Sequence, residues 1–146
     1  MTDTTSRTAP GPRWGIPSAG DILWCAFPEN KALRPGPKHR PALAVTVDDA
    51  EAPLYRILVA YGTSRRVDEL YAGEFTITLA DAEAYRLAGL SYPTKFNLRE
   101  RVLLPYTSDW FAVPPAAPHG QLPRLGTLHP SLLQRFRAAA IAAELI

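Results

Sequence analysis

The sequence of 146 residues predicts one small α+β domain with a strongly bent antiparallel sheet. The first observation is a series of short stretches in which apolar residues recur with the two-residue period of a strand. The second is a pair of helix-forming stretches, one in the middle of the chain and one at its end. The third is a hydrophobic content of 47%, which suits a globular chain with a modest core. We assign residues 1–19 to a flexible tail and residues 20–146 to the domain.

Residues 21–47 contain the first two predicted strands and a basic, proline-rich loop between them. In the first strand Ile22 and Trp24 share one face, whereas Leu23 lies on the other. Apolar residues on both faces indicate burial on both sides, as in a small closed barrel or at a subunit contact. If the second strand begins at Arg40, its guanidinium points away from the row of larger apolar residues. Against one acid, Glu29, the loop and strand start carry the bases Lys31, Arg34, Lys38, His39 and Arg40.

Glycine and proline residues divide the rest of the chain into further elements. We predict strands over residues 54–62, 74–78 and 101–106, an extended segment over 90–97, a short strand over 110–113 and a proline-rich connection over 114–123. We predict helices over residues 79–88, capped by Gly89, and from about residue 130 to residue 145. The start of the last helix has two interpretations: Pro130 fits the first helical position, and Ser131 with Gln134 fits a capping box.

The distribution of charge is more informative than its total, because the formal net charge of +2 is too small to imply a nucleic-acid partner. Basic residues gather in residues 31–40, at Arg65 and Arg66, and in residues 95–101. If these groups converge in the fold, they form a local binding site for an anion. The alternative is a solvated surface of mixed charge.

Several classes of site and location are excluded by what the sequence contains. Cys25 is the single cysteine, which excludes an intramolecular disulfide and a cysteine-based metal site. The three histidines do not form a metal-binding pattern, so we expect no metal and no other cofactor. The first residues contain no apolar run and no stretch suits a membrane helix, so we expect a cytoplasmic protein without membrane contact.

The chain contains three motifs in order: Gly-Asp-Ile-Leu-Trp at residues 20–24 with His-Arg-Pro-Ala-Leu-Ala-Val at 39–45, Val-Ala-Tyr-Gly-Thr-Ser at 59–64, and Leu-Ser-Tyr-Pro-Thr-Lys-Phe-Asn-Leu at 90–98. Together they resemble the MazF/PemK family, the toxin components of bacterial toxin–antitoxin pairs. The resemblance extends from about residue 20 to residue 106. It implies an SH3-like barrel that forms a homodimer and cleaves single-stranded RNA selectively at short sequences, without a metal. It also implies a cognate antitoxin protein that covers the RNA groove.

The implied reaction assigns roles to particular side chains. In such cleavage the ribose 2′-hydroxyl attacks the adjacent phosphate, so the enzyme positions the backbone and stabilises negative charge. Arg40 and Thr63 match the catalytic pair of the family; a guanidinium can hold two phosphate oxygens, and a hydroxyl can donate to the phosphate or touch the 2′-hydroxyl. The residues that we expect to contact the substrate beside them are Lys38, His39, Ser64, Arg65, Lys95 and Asn97.

The third motif departs from the family at Asn97, where many members have Asp. An amide can orient a ribose hydroxyl or a base edge, but it cannot accept a proton, and Glu100 is out of register on a regular strand. Whether the chain is an enzyme therefore stays open, and the alternative is a non-catalytic SH3-like module that binds nucleic acid or a protein. Without the resemblance, Arg40 would be a strand-end arginine paired with an acid, and Thr63 a turn residue bonded to local backbone.

Overall fold

The computed structural model describes residues 14–29 and 33–146. In these residues six strands form one antiparallel sheet with the spatial order β4-β5-β3-β2-β1-β6. The strands are β1 (Asp21–Cys25), β2 (Arg40–Asp48), β3 (Arg56–Thr63), β4 (Glu74–Ile77), β5 (Thr94–Pro105) and β6 (Arg124–Thr127). Helices α1 (Ala82–Ala88) and α2 (Leu133–Ala142) each follow a 3-10 turn, Leu79–Asp81 and Pro130–Leu132 respectively. The predicted α+β fold and both predicted helices are confirmed, with the sheet curled into a half-barrel.

Both faces of the sheet are covered, as the apolar pattern of the first strand indicates. On one face, Ile22 and Leu43 pack with residues of the two helical segments, among them Ala88 and Leu132. On the other face, a second cluster forms beneath the segment that follows β5; it contains Leu23, Cys25, Phe27, Ala42, Ala44, Ile57, Val59, Leu104, Tyr106, Trp110 and Phe111. The sheet therefore separates two apolar cores.

The fifth strand is longer than predicted. The extended segment over 90–97 and the strand over 101–106 are parts of the single twelve-residue strand β5. One step along β3, from Ala60 to Tyr61, corresponds to four steps along β5, from Arg101 to Asn97, so three residues of β5 form a bulge. The charged residues of the bulge interrupt the apolar alternation, which is why the sequence pattern divides this strand in two.

The sixth strand was missed, and a predicted short strand is reduced to one bridge. β6 pairs with β1, from Asp21 opposite Thr127 to Leu23 opposite Arg124. Residues 110–113 contribute only the isolated bridge between Cys25 and Phe111. β6 has four residues and depends on a partner about a hundred residues away, so no local alternation marks it.

The helix ends follow the local chemistry of the sequence. Thr78 and Asp81 form a capping box before α1, and the helix ends at Gly89, whose φ of 70° is left-handed. At the last helix the nitrogen of Ser131 donates to the His129 side chain, and Pro130 lies in the first turn, so the Pro130 interpretation is right. None of the helices in the described residues is long and apolar enough to cross a membrane.

The first residues of the described chain contact the domain. The ring of Trp14 lies 5.4 Å from that of Tyr106, and the Tyr106 hydroxyl donates to the Gly15 carbonyl at 3.0 Å. Residues 1–13 of the predicted tail, and residues 30–32 of the basic loop, lie outside the described residues.

Candidate functional site

The pairing of β2 with β3 brings Arg40 and Thr63 together at one end of the sheet. Ala42 pairs with Tyr61 and Leu43 with Ala60. Continued to the start of β2, the same register puts Arg40 opposite Thr63, and directly opposed residues of antiparallel strands share a face. Arg40 and Thr63 therefore lie side by side at the edge of the half-barrel, although they are distant in the sequence.

The Arg40 guanidinium is partly exposed and incompletely satisfied. Its Nη2 lies 3.2 Å from a carboxylate oxygen of Glu29, and its side chain is 29% exposed. Its central carbon lies 5.9 Å from the centre of the Tyr61 ring, which is cation–π distance. Its Nε is buried and has no hydrogen-bond partner among the described residues. Arg40 thus has the acid partner expected of a structural arginine, and the partly exposed end of its guanidinium could also bind an anion.

The Thr63 hydroxyl has a local role that leaves it able to donate. Its oxygen accepts a hydrogen bond from the Arg65 nitrogen at 3.1 Å, which stabilises the turn after β3. A hydroxyl that accepts one hydrogen bond still has its own proton to donate. The turn and a phosphate oxygen can therefore be bound by the same side chain at once.

A cavity of about 210 Å³, here called the rim cavity, opens beside this pair. Four of the predicted site residues line it, namely His39, Arg40, Thr63 and Ser64. The remaining lining comes from Trp24, Pro41, Gly62, Gly89, Leu90, Ser91, Tyr92, Thr94 and Leu125. The rim cavity is therefore formed by the ends of β1, β2 and β3, by β6, and by the segment between α1 and β5.

Gly62 and Gly89 line the rim cavity at two points where neighbouring backbone segments come close together. A Cβ atom at Gly62 would collide with the Pro41 carbonyl oxygen and lie 2.7 Å from a carbon of the Phe96 ring. A Cβ atom at Gly89 would collide with the Leu125 carbonyl oxygen. Because neither position has space for a side chain, the strand ends and the end of α1 approach more closely than other residues would allow.

His39 forms one side of the rim cavity by stacking on Trp24. The two rings lie 6.0 Å apart, with an angle of 20° between their planes. Partial burial lowers the pKa of His39 below its ordinary value of 6.5, because desolvation disfavours the charged ring. The ring is therefore predominantly neutral at pH 7, and it offers an aromatic face and a hydrogen-bonding nitrogen rather than a fixed charge.

A second cavity of about 380 Å³, here called the side cavity, shares Arg40 with the first. It is lined by Pro28, Glu29, Arg40, Tyr61, Arg65 and Glu100, so the predicted residue Arg65 belongs to it. Glu29 and Glu100 are carboxylates that the sequence did not identify as site residues. Glu29 was visible as the one acid beside the basic loop. Glu100 reaches the side cavity through the bulge in β5, which no local pattern indicates.

Lys95 and Asn97 make their contacts elsewhere. Lys95 Nζ lies 3.1 Å from a carboxylate oxygen of Glu74 and donates to the Glu69 carbonyl at 2.7 Å, in a pair whose side chains are each 8% exposed. Asn97 Oδ1 accepts from the Arg99 nitrogen at 2.9 Å, within the bulge. Neither these residues nor Lys38, which is exposed, line the rim or side cavity.

The described residues contain no group of three or more His, Cys, Asp or Glu side chains that could hold a metal ion. Cys25 is fully buried in the second core cluster, and this burial raises the pKa of its thiol far above the ordinary value. Its thiol is consequently protonated and inaccessible, so Cys25 acts as a small apolar side chain.

Comparison with known proteins adds no assignment, because no family model and no curated protein matches this sequence. The curled antiparallel half-barrel with two helices is therefore established by the structure alone.

Proposed function

We propose that this chain is a MazF/PemK-like endoribonuclease that cleaves single-stranded RNA without a metal. The observation that carries the proposal is that Arg40 and Thr63, at the ends of the paired strands β2 and β3, line the same rim cavity. His39 and Ser64 line the same cavity, so four residues from two separate motifs converge. Convergence of this kind supports the resemblance more strongly than the short motifs do.

The chemistry requires the protein to position a phosphate and to stabilise its developing charge. The ribose 2′-oxygen forms a bond to phosphorus while the bond from phosphorus to the 5′-oxygen breaks, leaving a 2′,3′-cyclic phosphate. Arg40 binds the non-bridging oxygens through the N–H groups at the partly exposed end of its fork. Thr63 donates its hydroxyl proton to one of the same oxygens, and Ser64 assists. Water supplies the proton that the departing 5′-oxygen takes up.

The proton of the 2′-hydroxyl needs an acceptor, and Asn97 cannot serve. Glu29 already forms an ion pair with Arg40 at 3.2 Å, so its carboxylate is engaged. Glu100 lines the same side cavity, and no ion pair to its carboxylate is found within residues 14–29 and 33–146. We therefore assign proton abstraction to Glu100. The bulge of β5 brings this carboxylate to the side cavity, although Asn97 stands where many members of the family have Asp.

The assignment of Glu100 is tested by Glu100→Gln, which keeps the shape of the side chain and removes its basicity. We expect RNA cleavage at pH 7 to slow by at least about 100-fold, and the acid limb of the pH–rate profile to disappear. Glu51→Gln, a change at an exposed acid in the turn between β2 and β3, is the matched control and should leave the rate unchanged. An unaltered rate and profile in Glu100→Gln would show that another group takes the proton.

The reaction class is tested by comparing RNA with DNA of the same sequence. DNA has the same phosphates and bases but lacks the 2′-hydroxyl, so single-stranded RNA should be cut at discrete positions and the DNA should stay intact. Cleavage of both would indicate a different nucleophile, and cleavage of neither would remove the enzymatic proposal.

From the resemblance, we further propose that the protein is a cytoplasmic toxin that acts as a homodimer and is inhibited by a cognate antitoxin. The partial exposure of the Arg40 side chain suits an acidic antitoxin segment as well as it suits a phosphate. Induced expression in bacteria should arrest growth, and Arg40→Ala should relieve the arrest at equal protein level. Growth arrest by both forms would separate toxicity from RNA cleavage.

The alternative is a non-catalytic module that binds RNA or a protein segment. Its specific support is that Arg40 already has a carboxylate partner and that the Thr63 hydroxyl already caps a turn. Binding of single-stranded RNA by the wild type, without any cleavage over a long incubation, would favour this module.

A further inference from the structure

We propose that the rim cavity is a subsite for one unpaired nucleobase of RNA, beside the phosphate held by Arg40 and Thr63. The base-binding chemistry follows from the lining of the cavity. The placement of that base next to the cleaved bond rests on the proposed function.

The aromatic side chains of the rim cavity supply the stacking surface. Trp24 and His39 lie nearly parallel, with 20° between their planes and 6.0 Å between their ring centroids, and both line the rim cavity. Tyr92 lines the same cavity, and its 68% exposure leaves its ring available for stacking. Base–aromatic stacking is the main sequence-tolerant contribution in proteins that bind single strands, because every base has a π-face.

The Tyr92 segment is held in place at the cavity. The Thr94 hydroxyl donates to the Tyr92 carbonyl at 2.8 Å, and Gly89 ends α1 directly before this segment. Leu90 is buried in the core cluster beneath it, so the backbone that carries Tyr92 is anchored on both sides. Its ring can therefore meet a base without the cost of ordering a loose loop.

The polar groups of the rim cavity suit a base with a phosphate next to it. The exposed hydroxyls of Ser64 and Ser91 can each donate to or accept from a base edge. The described lining contains Arg40 and His39 but no carboxylate, so a nucleotide phosphate meets no opposing charge there. The acids Glu29 and Glu100 line the side cavity instead, which shares Arg40 with the rim cavity. An RNA strand bound at Arg40 would therefore have a base in the rim cavity and the proposed proton acceptor in the side cavity.

The subsite is tested with the four nucleoside 5′-monophosphates and with ribose 5-phosphate, which has the same phosphate and sugar but no base. The full chain is labelled with ¹⁵N, and the indole N–H resonance of Trp24, identified with Trp24→Phe, is followed during each titration. We expect at least one nucleotide to shift this resonance and to bind at least about fivefold tighter than ribose 5-phosphate, the lower end of what one stacked base contributes.

Tyr92→Ala should remove most of the difference between nucleotide and ribose 5-phosphate. Tyr71→Ala is the matched control, since Tyr71 is a similarly exposed tyrosine, 66%, that does not line the rim cavity, and it should bind as the wild type does. Equal affinity for nucleotides and ribose 5-phosphate, or an unchanged difference in Tyr92→Ala, would overturn the subsite. If nucleotides bind at Trp24 but RNA is never cut, the subsite stands and the endoribonuclease proposal falls. If RNA is cut but no nucleotide binds there, the subsite alone falls.

Discussion

Replacing Lys95 with Met tests whether this residue supports the fold instead of contacting RNA. Lys95 is 6% exposed as a whole residue. Its ammonium lies 3.1 Å from a carboxylate oxygen of Glu74 and 2.7 Å from the Glu69 carbonyl oxygen. Met fills a similar volume but leaves the buried Glu74 carboxylate without its counter-charge. Removing one member of a buried pair typically costs about 3–5 kcal/mol, because the remaining charge is desolvated and uncompensated. We therefore expect the free energy of unfolding of Lys95→Met to fall by about 3–5 kcal/mol.

The assay is urea unfolding followed by tryptophan fluorescence, with the double variant Lys95→Met/Glu74→Gln as the control. Gln keeps the oxygen that accepts from the Tyr71 nitrogen at 2.9 Å, and it removes the charge. The double variant should therefore recover at least about 1 kcal/mol relative to Lys95→Met alone. A loss below about 1 kcal/mol in Lys95→Met, with RNA binding weakened, would refute the structural role and restore Lys95 as a substrate contact.

Three further predictions concern packing, reactivity and pH. Gly62→Ala should lower the free energy of unfolding by about 1–3 kcal/mol in the same urea assay, because its Cβ has no space beside the Phe96 ring. The Cys25 thiol should not react with an aromatic disulfide reagent in the native protein and should react fully in denaturant, since burial keeps it protonated and inaccessible. The hydrogen bonds from Arg135 hold the pKa of Asp81 below its ordinary value of 3.8, so this stabilisation is present above that value and is lost as the pH falls through the folded-state pKa. Arg135→Ala should therefore reduce the acid-induced loss of unfolding free energy by up to about 1 kcal/mol, and the effect is small because the Arg135 side chain is half exposed. Urea unfolding at several pH values measures this difference.

The elements that the sequence predicted are those that carry local signals. β1 and β2 have apolar periodicity, α1 has a glycine cap, and the last helix has an apolar stripe. Their burial follows from the chemistry of single segments, so the fold class could be deduced without knowing which strands pair. The C-terminal helix start was also decided locally, by Pro130 and the acceptor side chain of His129.

The features that the sequence could not predict depend on long-range pairing. β6 forms by pairing with an edge of β1, and a strand of four residues is too short to show a clear alternation of apolar and polar residues. The bulge in β5 arises from the way β5 pairs with β3, so the sequence of β5 alone does not indicate it. It also decides the position of Glu100, whose distance from Asn97 along a regular strand had argued against it.

The candidate site shows the same division. Arg40 and Thr63 came from the resemblance, and the register of two strands explains why residues so far apart can act together. Trp24 and Tyr92 come from distant segments, so their presence in one cavity required the fold. Lys95 was expected near the substrate because of its motif, and its buried ion pair with Glu74 is a contact that no motif specifies.

The central claim is that Arg40 stabilises attack by a ribose 2′-hydroxyl. The most direct measurement incubates a mixed-sequence single-stranded RNA, in EDTA, with the wild type, with Arg40→Ala, and with Arg137→Ala as an exposed-arginine control on α2. We predict discrete cuts by the wild type and the control, with 2′,3′-cyclic phosphate ends, and cleavage at least about 100-fold slower in Arg40→Ala. Intact RNA with the wild type, or equal cutting by Arg40→Ala, would contradict the claim.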